Sequence, residues 1–265
     1  MKILITGSNG YIGSNLFSFL ETKGIDIVGI DKSFGINILD YHDYMNMDGI
    51  IHLAGISGIH QCNSNLEQAT INNVVSTFLV FNAARKNGIP VIFTSSQAAK
   101  NPQSNMYALT KKMCEIEAIR MNTIGCNIKV FRLTNVYGGK KYLDMKDTVI
   151  SKFVKAVKKD EDIIINGNGS QIRDFIHIDD VCDAIYKGLM CKHIIKVPID
   201  IGTGIPISIL ELAKMFNHRF TFNKESDRIG ISRNVADTFL AYKELLFKSE
   251  KRIEDYIQRL LNERI

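Results

Sequence analysis

The stretch Lys2-Ile3-Leu4-Ile5-Thr6-Gly7-Ser8-Asn9-Gly10-Tyr11-Ile12-Gly13 decides the fold. Its first residues are predicted to form a short buried strand, and a helical pattern runs from Ser14 to Lys23 after the last glycine. Glycines in this context allow a tight turn, a close approach of the backbone to a pyrophosphate, and close packing of the helix on the strand. The positive end of the helix then faces the phosphates. The stretch therefore predicts a strand, turn and helix that bind a dinucleotide.

An acidic residue follows the second predicted strand. The apolar run Ile25 to Ile30 ends in Asp31, and a carboxylate in this position accepts hydrogen bonds from an adenosine ribose. The same charge repels a 2′-phosphate, so the sequence favours NAD over NADP. Lys32 follows immediately and softens this preference. NAD is the predicted cofactor, and NADP is the less favoured alternative.

The order of the predicted elements indicates the fold class. Helical periodicity separates most of the apolar strands, which are predicted near residues 2–6, 25–30, 49–53, 90–95 and 127–133. Such alternation is typical of an α/β fold with a Rossmann-type, doubly wound parallel sheet. We expect a cofactor-binding domain from residues 1–138 and 179–202, and a smaller mixed α/β substrate-binding lobe from residues 139–178 and 203–265.

Tyr107 and Lys111 stand four residues apart in a predicted helix. Positions i and i+4 lie on one helix face, so the phenol and the ammonium point in the same direction. A phenol has a pKa of about 10, and a nearby cation favours the phenolate. Lowering this pKa by about three units requires roughly 4 kcal/mol of differential stabilisation. The pair predicts a base that acts on an alcohol. The alternative, taken on the spacing alone, is an ordinary amphipathic helix.

With both motifs in view, the chain resembles the extended short-chain dehydrogenase/reductase family, in particular its nucleotide-sugar epimerase and dehydratase branch. Ile51 to Gly55 is similar to the family's fourth-strand segment, and Asn73 to Thr77 is similar to its Asn-Val-x-Gly-Thr helix. Arg132 to Gly138 resembles its Arg-x-x-Asn-x-Tyr-Gly segment, and Gly167 to Val181 resembles its Gly-x-Gly-x-x-x-Arg-Asp-Phe block. The resemblance extends over nearly the whole chain.

The motifs and the resemblance together assign the site residues. The catalytic set is Ser96, Tyr107 and Lys111, in which Ser96 orients the reacting oxygen of the substrate. The residues assigned to cofactor binding are Gly7, Asn9, Gly10, Tyr11, Ile12, Gly13, Asp31, Asn37, Ile38, Leu53, Ala54, Gly55, Asn73, Tyr107 and Lys111. The residues assigned to substrate binding are Ser96, Gln97, Asn135, Arg173 and Arg228. The two arginines are suited to the diphosphate of a nucleotide sugar.

Two departures from the family pattern bear on the reaction. Sugar dehydratases carry an Asp-Glu pair after the catalytic Ser or Thr, where this chain has Gln97 and Ala98. No carboxylic acid is therefore available there for an elimination. Relatives usually carry Val-Tyr-Gly where this chain has Ala98, Ala99 and Lys100, so the loop beside the sugar is reshaped. The minimal set of Ser, Tyr and Lys remains, which suffices to oxidise an alcohol or reduce a ketone.

The leading prediction is an NAD-dependent nucleotide-sugar epimerase that inverts carbon four through a transient 4-keto intermediate. An NAD(P)-dependent nucleotide-sugar 4-dehydrogenase or 4-ketoreductase uses the same residues and is the alternative. A third hypothesis, from a different class, is a cofactor-binding regulator without turnover. The intact Ser96, Tyr107 and Lys111 argue against this third hypothesis.

Composition sets the expected partners and location. The 33 Lys and Arg residues against 28 Asp and Glu give a formal charge of +5, but they are scattered, which argues against a nucleic-acid surface. The five cysteines lack metal-ligand spacing, so we expect no metal and a reducing, cytoplasmic location. No apolar run reaches the roughly 18 residues that span a bilayer, and the amino terminus enters the first strand without a leader. Helices near residues 66–87 and 105–124 are expected to pair in a homodimer, as in relatives.

Overall fold

A computed structural model describes residues 1–143, 148–223 and 233–263. The strands are β1 Lys2–Thr6, β2 Asp26–Ile30, β3 Gly49–His52, β4 Val91–Ser96, β5 Ile128–Leu133, β6 Asn135–Tyr137, β7 Ile163–Asn166, β8 Ile172–Arg173, β9 Phe175–His177, β10 Ile199–Ile201, β11 Ile207–Ser208, β12 Phe220–Asn223 and β13 Arg233–Asn234. The helices are α1 Tyr11–Thr22, α2 Ile59–Ser64, α3 Leu66–Thr70, α4 Ser76–Asn87, α5 Met106–Thr123, α6 Val149–Lys158, α7 Ile178–Met190, α8 Ile209–Met215, α9 Phe239–Leu245 and α10 Ile253–Asn262.

The main sheet has six parallel strands in the order β10-β5-β4-β3-β1-β2. Strand β2 lies on one side of β1, and strand β3 lies on the other side, so the direction in which the chain adds strands reverses at β1. This reversal is the pattern of a doubly wound sheet. The predicted Rossmann-type fold is therefore confirmed, and the five predicted strands of the first half all belong to this sheet.

The strand count differs from the family pattern in one respect. The described stretch between β2 and β3 contains two 3₁₀ turns, Lys32–Phe34 and Ile38–Asp40, and no strand. The sequence suggested that the segment Ile51 to Gly55 belongs to a fourth strand. In this chain its first two residues, Ile51 and His52, lie in the third strand, β3, and Leu53 to Gly55 follow the end of that strand. The stretch is too short to cross the sheet and return as a further strand.

Alternate residues of the strands are buried on opposite faces of the sheet. On one face, Ile3 and Ile5 pack in a core with helices α1 and α7. On the other face, Leu4 and Phe93 pack in a core with helices α4 and α5. Because both faces are covered, the strands read as continuous apolar runs, which is why the sequence predicted them.

A third hydrophobic core is formed within the second half of the chain. It contains Tyr137, Phe153, Phe216 and Tyr256. In contrast, Ala241 and Leu245 of helix α9 are buried in the core of the main sheet. Part of the predicted substrate lobe thus packs on the first domain, and the division of the chain into two lobes stays a prediction. Among the described helices, none is long and apolar enough to cross a membrane.

The glycine turn fixes helix α1 on strand β1. Gly7 has a φ of 70°, and its N–H donates to the carbonyl oxygen of Ile30 at 2.9 Å. A Cβ atom on Gly13 would lie 2.2 Å from the carbonyl oxygen of Gly7. The helix therefore contacts the turn through backbone atoms alone, which only glycine permits at this position.

We expect Gly13→Ala to lower the free energy of unfolding by about 1–3 kcal/mol, because the backbone of the turn must move to accept the methyl group. Gly58→Ala is the matched control, since its methyl group would meet only side-chain atoms of Gln61, at 3.4 Å and 3.6 Å, and a backbone nitrogen at 3.9 Å. Urea denaturation of the protein without cofactor measures both. Equal stability of the two variants would contradict the packing described here.

Candidate functional site

The catalytic helix begins beside the end of strand β4. Asn105 caps helix α5, and its side-chain oxygen accepts a hydrogen bond from the N–H of Ala108 at 2.9 Å. Tyr107 and Lys111 then lie in the first turns of this helix. Ser96 ends strand β4, where its hydroxyl caps the following 3₁₀ turn by accepting from the N–H of Ala98 at 3.2 Å.

Ser96 lies close enough to Tyr107 to affect the ionisation of its phenol. Ser96 favours the phenolate and lowers the pKa of Tyr107, but burial of the phenol has the larger, opposite effect. The pKa of Tyr107 is therefore raised above its ordinary value. The structure thus brings two members of the predicted catalytic set together.

Lys111 contacts strand β4 instead of the phenol. Its Nζ atom donates to the carbonyl oxygen of Thr94 at 2.8 Å and lies 4.8 Å from the ring centre of Phe93. Burial lowers the pKa of Lys111, and the neighbouring Cys114, Cys62 and Glu115 act against that shift. The expectation that Lys111 lowers the pKa of Tyr107 beside a bound nicotinamide stays a prediction, and in the chain without cofactor the pKa of Tyr107 is raised. The physical reason is that loss of solvation disfavours the phenolate more than nearby groups favour it.

A buried ion pair connects the catalytic helix to the strand ends. The Glu115 carboxylate has no exposed surface, and it accepts from Nε and Nη2 of Arg132 at 2.7 Å and 2.6 Å. It also accepts from the hydroxyl of Ser95 at 2.7 Å. Sequence reasoning missed Glu115, although it lies four residues after Lys111 and therefore on the same helix face.

A cleft opens at the carboxyl ends of strands β1, β2 and β3. Its cavity has a volume of about 410 Å³. The predicted cofactor residues that line it are Gly7, Gly10, Asp31, Ile38, Leu53, Ala54 and Gly55. Lining residues that the sequence did not assign include Lys32, Ile36, Gln68 and Asn72. Because strands β1 and β2 are parallel, the glycine turn and Asp31 follow strand ends at the same edge of the sheet.

Asp31 is held in place by the glycine turn and by the turn that follows it. One carboxylate oxygen accepts from the N–H and the hydroxyl of Ser33 at 2.9 Å and 2.8 Å. The other accepts from the N–H of Asn9 at 3.1 Å. Asp31 and Asn9, both predicted to bind the cofactor, are thus in direct contact.

Other residues assigned to the cofactor lie away from the cleft wall. The hydroxyl of Tyr11 donates to the carbonyl oxygen of Gly138 at 2.8 Å, and Ile12 packs against the core under the sheet. Asn37 caps a 3₁₀ turn by accepting from the N–H of Leu39. Asn73 is buried, and its side-chain amide accepts a hydrogen bond from the N–H of Ile56 and donates one to the carbonyl oxygen of Ile56. These side chains support the cleft, and their contact with a cofactor stays a prediction.

The cleft fits the dinucleotide that the sequence predicts. Gly10 precedes helix α1 without a side-chain cap, so the first N–H groups of a 12-residue helix are not occupied by a capping side chain. Such a helix end binds phosphate groups. A Cβ atom on Gly7 would lie 2.8 Å from the nitrogen of Ala54, so the wall there consists of closely spaced backbone.

The predicted substrate residues lie on the other side of the strand ends. Asn135 donates its backbone N–H and its side-chain NH₂ to the carbonyl oxygen of Asp174, at 3.0 Å and 2.9 Å. Arg173 is half-buried, and burial lowers its pKa. Gln97 is only 2% exposed, and both polar atoms of its amide lack a partner within the described ranges. Arg228 lies outside the described residues.

Asp174 organises the loops around this substrate side. Its carboxylate is fully buried and accepts from the N–H and hydroxyl of Thr203, from the N–H of Gly204 and from the N–H of Ala236. Four donors on one carboxylate join the loop after β10 to the segment before α9. Within the described part of the chain, no group of three or more His, Cys, Asp and Glu side chains could hold a metal ion.

A comparison with known families decides the identification. A sequence profile described as the NAD dependent epimerase/dehydratase family matches residues 3–195. The chain belongs to this family. The predicted membership of the nucleotide-sugar epimerase and dehydratase branch is therefore confirmed.

Relatives within this family include both isomerases and oxidoreductases. The UDP-2-acetamido-2,6-beta-L-arabino-hexul-4-ose reductase of Pseudomonas aeruginosa is 30% identical over 91% of this chain, which spans 65% of that relative's length. Among solved structures, MoeE5 in complex with UDP-glucuronic acid and NAD is 22% identical, with a TM-score of 0.87 and full coverage of both chains. UDP-glucuronic acid 4-epimerase from Bacillus cereus, in complex with UDP-glucuronic acid and NAD, is 23% identical, with a TM-score of 0.85 and full coverage of both chains.

His52 connects the cleft to the helix that precedes the catalytic one. Its Nδ1 lies 2.7 Å from the hydroxyl of Thr6, and its Nε2 lies 2.9 Å from the hydroxyl of Thr77. Thr77 donates its own proton to the carbonyl oxygen of Asn73, so it accepts from Nε2. Burial, with a smaller effect of Lys111, lowers the pKa of His52 from 6.5 to about 3. The imidazole is therefore neutral and carries its proton on Nε2.

This shift predicts an acid-dependent loss of stability. Between the folded pKa of about 3 and the ordinary value of 6.5, the unfolded chain binds a proton that the folded chain does not. The contribution of His52 is complete above 6.5 and falls towards pH 3, with a slope of up to about 1.4 kcal/mol per pH unit. Urea denaturation at about pH 7.5 and about pH 5 should show a smaller difference for His52→Gln than for the unsubstituted chain.

His60 provides the control for this experiment. It is exposed in helix α2, so His60→Gln should keep the full pH dependence. An unchanged pH dependence of His52→Gln would contradict the assignment of a neutral buried imidazole.

Proposed function

We propose that the chain is an NAD-dependent nucleotide-sugar epimerase that inverts carbon four through a transient 4-keto intermediate. The observation that carries the proposal is that Ser96, at the end of strand β4, lies near Tyr107, in the same sheet whose strands β1, β2 and β3 end in a cleft lined by Gly7, Gly10 and Asp31. The family and its solved structures with NAD and UDP-sugars support the same class of enzyme.

Tyr107 acts as the proton acceptor in this proposal. Ser96 donates a hydrogen bond to the sugar oxygen on carbon four and holds it near the phenol. Because the pKa of Tyr107 is raised, the phenol is neutral in the chain alone and needs further positive charge beside it to accept a proton. When bound, NAD supplies a hydride acceptor and a positively charged nicotinamide ring. Lys111 adds a second positive charge from helix α5, where its Nζ atom donates to the carbonyl oxygen of Thr94 on strand β4.

The neutral side chains after Ser96 limit the reaction to oxidation and reduction. An elimination needs an acid that protonates the leaving hydroxyl, and the amide of Gln97 cannot donate a proton in this way. Ala98 supplies no polar group. The keto sugar is therefore expected to keep its other hydroxyl groups and to be reduced again at carbon four.

A 4-dehydrogenase or 4-ketoreductase is the second candidate, because it requires the same Ser96, Tyr107 and Lys111. The reductase relative from Pseudomonas aeruginosa favours it. The two candidates differ in whether the hydride returns to the same sugar molecule or leaves with the cofactor.

Nucleotide-sugar binding is proposed for the side of the cleft where Asn135 and Arg173 lie. Their segments, β6 with β9 and β8 with β13, join the strand ends to the carboxyl-terminal core. A guanidinium in a half-buried position suits a diphosphate. Arg228 is proposed as the second arginine of this subsite, and the cytoplasm is proposed as the location of the enzyme.

The epimerase proposal predicts turnover without added nicotinamide. Purified protein should release NAD on denaturation, detected by mass spectrometry, and should interconvert two UDP-sugar stereoisomers when only the sugar is added. Chromatography of the sugar nucleotides measures the product. A stoichiometric change in absorbance of reduced nicotinamide, with no isomer formed, would support the reductase candidate and overturn the epimerase.

Tyr107→Phe tests the assigned base in the same assay. Loss of general acid and base catalysis should reduce turnover by about 10²–10⁴-fold while NAD stays bound. Tyr242→Phe is the matched control, because Tyr242 is exposed on helix α9. Turnover of Tyr107→Phe equal to that of the control would refute the assignment.

We further propose that two copies of the chain pair through the outer faces of helices α4 and α5. Exposed apolar side chains line these helices and the turn before them: Val75, Phe78, Leu79, Leu109, Met113 and Ile116. The three residues of α5 follow a spacing of four and three and therefore form one stripe. A contiguous apolar face of this kind is typical of a protein interface.

Ile116→Asp should convert the dimer to a monomer, because a charge would be buried in the apolar interface. Ile164→Asp is the matched control, since Ile164 is 60% exposed on strand β7, away from these helices. Size-exclusion chromatography with light scattering measures the mass of each. A mass of one chain for the unsubstituted protein would overturn the proposed dimer.

A further inference from the structure

Lys129 is a buried ammonium that the proposed reaction does not use. It is the second residue of strand β5 and is only 2% exposed, and its Nζ atom donates to the side-chain oxygen of Asn127 at 3.1 Å. Within residues 1–143, 148–223 and 233–263, no carboxylate lies within ion-pair distance of this ammonium. Because a buried charge is costly unless it is paired, a neighbouring group that can become an anion is favoured here.

Cys191, at the end of helix α7, is a group of this kind. Burial lowers the pKa of Lys129, and a negative charge on Cys191 acts in the opposite direction. The residue is partly exposed, so small molecules can reach its sulfur from the solvent. A positively charged and partly exposed environment is typical of reactive cysteines.

An imidazole contacts the thiol of Cys191. The sulfur lies 3.4 Å from Nδ1 and 3.6 Å from Nε2 of His193, and 3.8 Å from the carbonyl oxygen of the same residue. Nε2 also lies 2.9 Å from a carboxylate oxygen of Glu244 on helix α9. Because this carboxylate accepts the proton of Nε2, Nδ1 is left to accept the proton of the thiol.

These side chains therefore combine a nucleophile, a base and a carboxylate that orients the base. His193 takes the proton of the Cys191 thiol, and the ammonium of Lys129 favours the thiolate that remains. The groups come from strand β5, the end of helix α7, the segment before strand β10 and helix α9. Their arrangement thus depends on the tertiary structure.

The cluster lies away from the proposed active site. Lys129 pairs with Ile92 near the beginning of strand β4, whereas Leu133 pairs with Ser96 at the end of the same two strands. Four residues of an extended strand span about 13 Å. The chemistry of Cys191 is therefore separate from that of the proposed catalytic residues.

We propose that Cys191 is a reactive thiol that forms mixed disulfides with small-molecule disulfides. Its thiolate attacks one sulfur of the disulfide, so that a new S–S bond forms and the original S–S bond breaks. The sulfur that leaves takes the proton held by His193 and departs as a thiol. Cys191 is oxidised and the leaving half of the disulfide is reduced, so the step needs no other reactant.

Reaction of the full chain with dithiodipyridine, a neutral aromatic disulfide, tests the proposal. Absorbance of the released thiopyridone measures the rate, and peptide mass spectrometry locates the modified cysteine. Cys191 should react at least about tenfold faster than Cys126, the other partly exposed cysteine. Cys191→Ser should lose the fast phase, and Cys126→Ser is the matched control that should retain it.

Substitution of the neighbours separates their chemistry from simple exposure of the thiol. His193→Gln removes the base and should slow the reaction of Cys191 by about tenfold or more. Glu244→Gln keeps an acceptor for Nε2 but removes the charge, and should slow it by about two- to fivefold. His42→Gln is the matched control and should keep the full rate, because His42 is exposed between strands β2 and β3, at the opposite edge of the sheet from β10.

Lys129→Met tests the contribution of the buried ammonium and should slow the reaction by about threefold or more. His193 is exposed, so its variant decides the proposal whatever the stability of Lys129→Met. A rate for Cys191 no greater than that for Cys126, or an unchanged rate in His193→Gln, would overturn the proposal. These measurements require neither cofactor nor turnover, so the proposed function is tested separately.

Discussion

The buried carboxylate of Glu115 is the interaction on which the site depends. It binds Arg132 of strand β5 through two nitrogens and Ser95 of strand β4 through its hydroxyl. Ser95 precedes Ser96, and Glu115 lies on the helix that carries Tyr107, so one group fixes the distance between the two catalytic side chains. Removing one partner from a buried ion pair typically lowers the free energy of unfolding by about 3–5 kcal/mol. The placement of helix α5 against the strand ends is therefore difficult to change. Precise placement matters because proton transfer requires hydrogen-bond contact.

Burial has the largest effect on the charge states of the side chains around Ser96 and Tyr107. The phenol of Tyr107 and the imidazole of His52 are both held in their neutral forms, since loss of solvation disfavours the charged ones. Lys111 is buried too, but the Thr94 carbonyl and the Phe93 ring stabilise its ammonium. Two solved structures of the same fold, MoeE5 and the UDP-glucuronic acid 4-epimerase from Bacillus cereus, are complexes that contain NAD.

The main sheet was predictable because its strands are covered on both faces and therefore appear as continuous apolar runs. The glycine turn and Asp31 were predictable for a related reason, since tight backbone contacts leave only glycine at Gly7 and Gly13. The two-residue strands β8 and β13 gave no signal, because two residues carry no periodicity. The role of Glu115 was also missed, as a carboxylate in a helix does not indicate which cation the fold brings to it.

The sequence by itself determined the order of the elements, the glycine turn and the residue types of the catalytic set. It also determined that the two positions after Ser96 carry Gln97 and Ala98 and no carboxylic acid. These are local properties, fixed by backbone sterics and by the chemistry of single side chains. The tertiary structure alone decided that Lys111 contacts Thr94, that Tyr11 and Asn73 support the cleft, and that Lys141 contacts Asn9. Contacts between residues more than 100 positions apart, such as Lys141 with Asn9, depend on how the chain returns to the sheet, and no local pattern encodes that path.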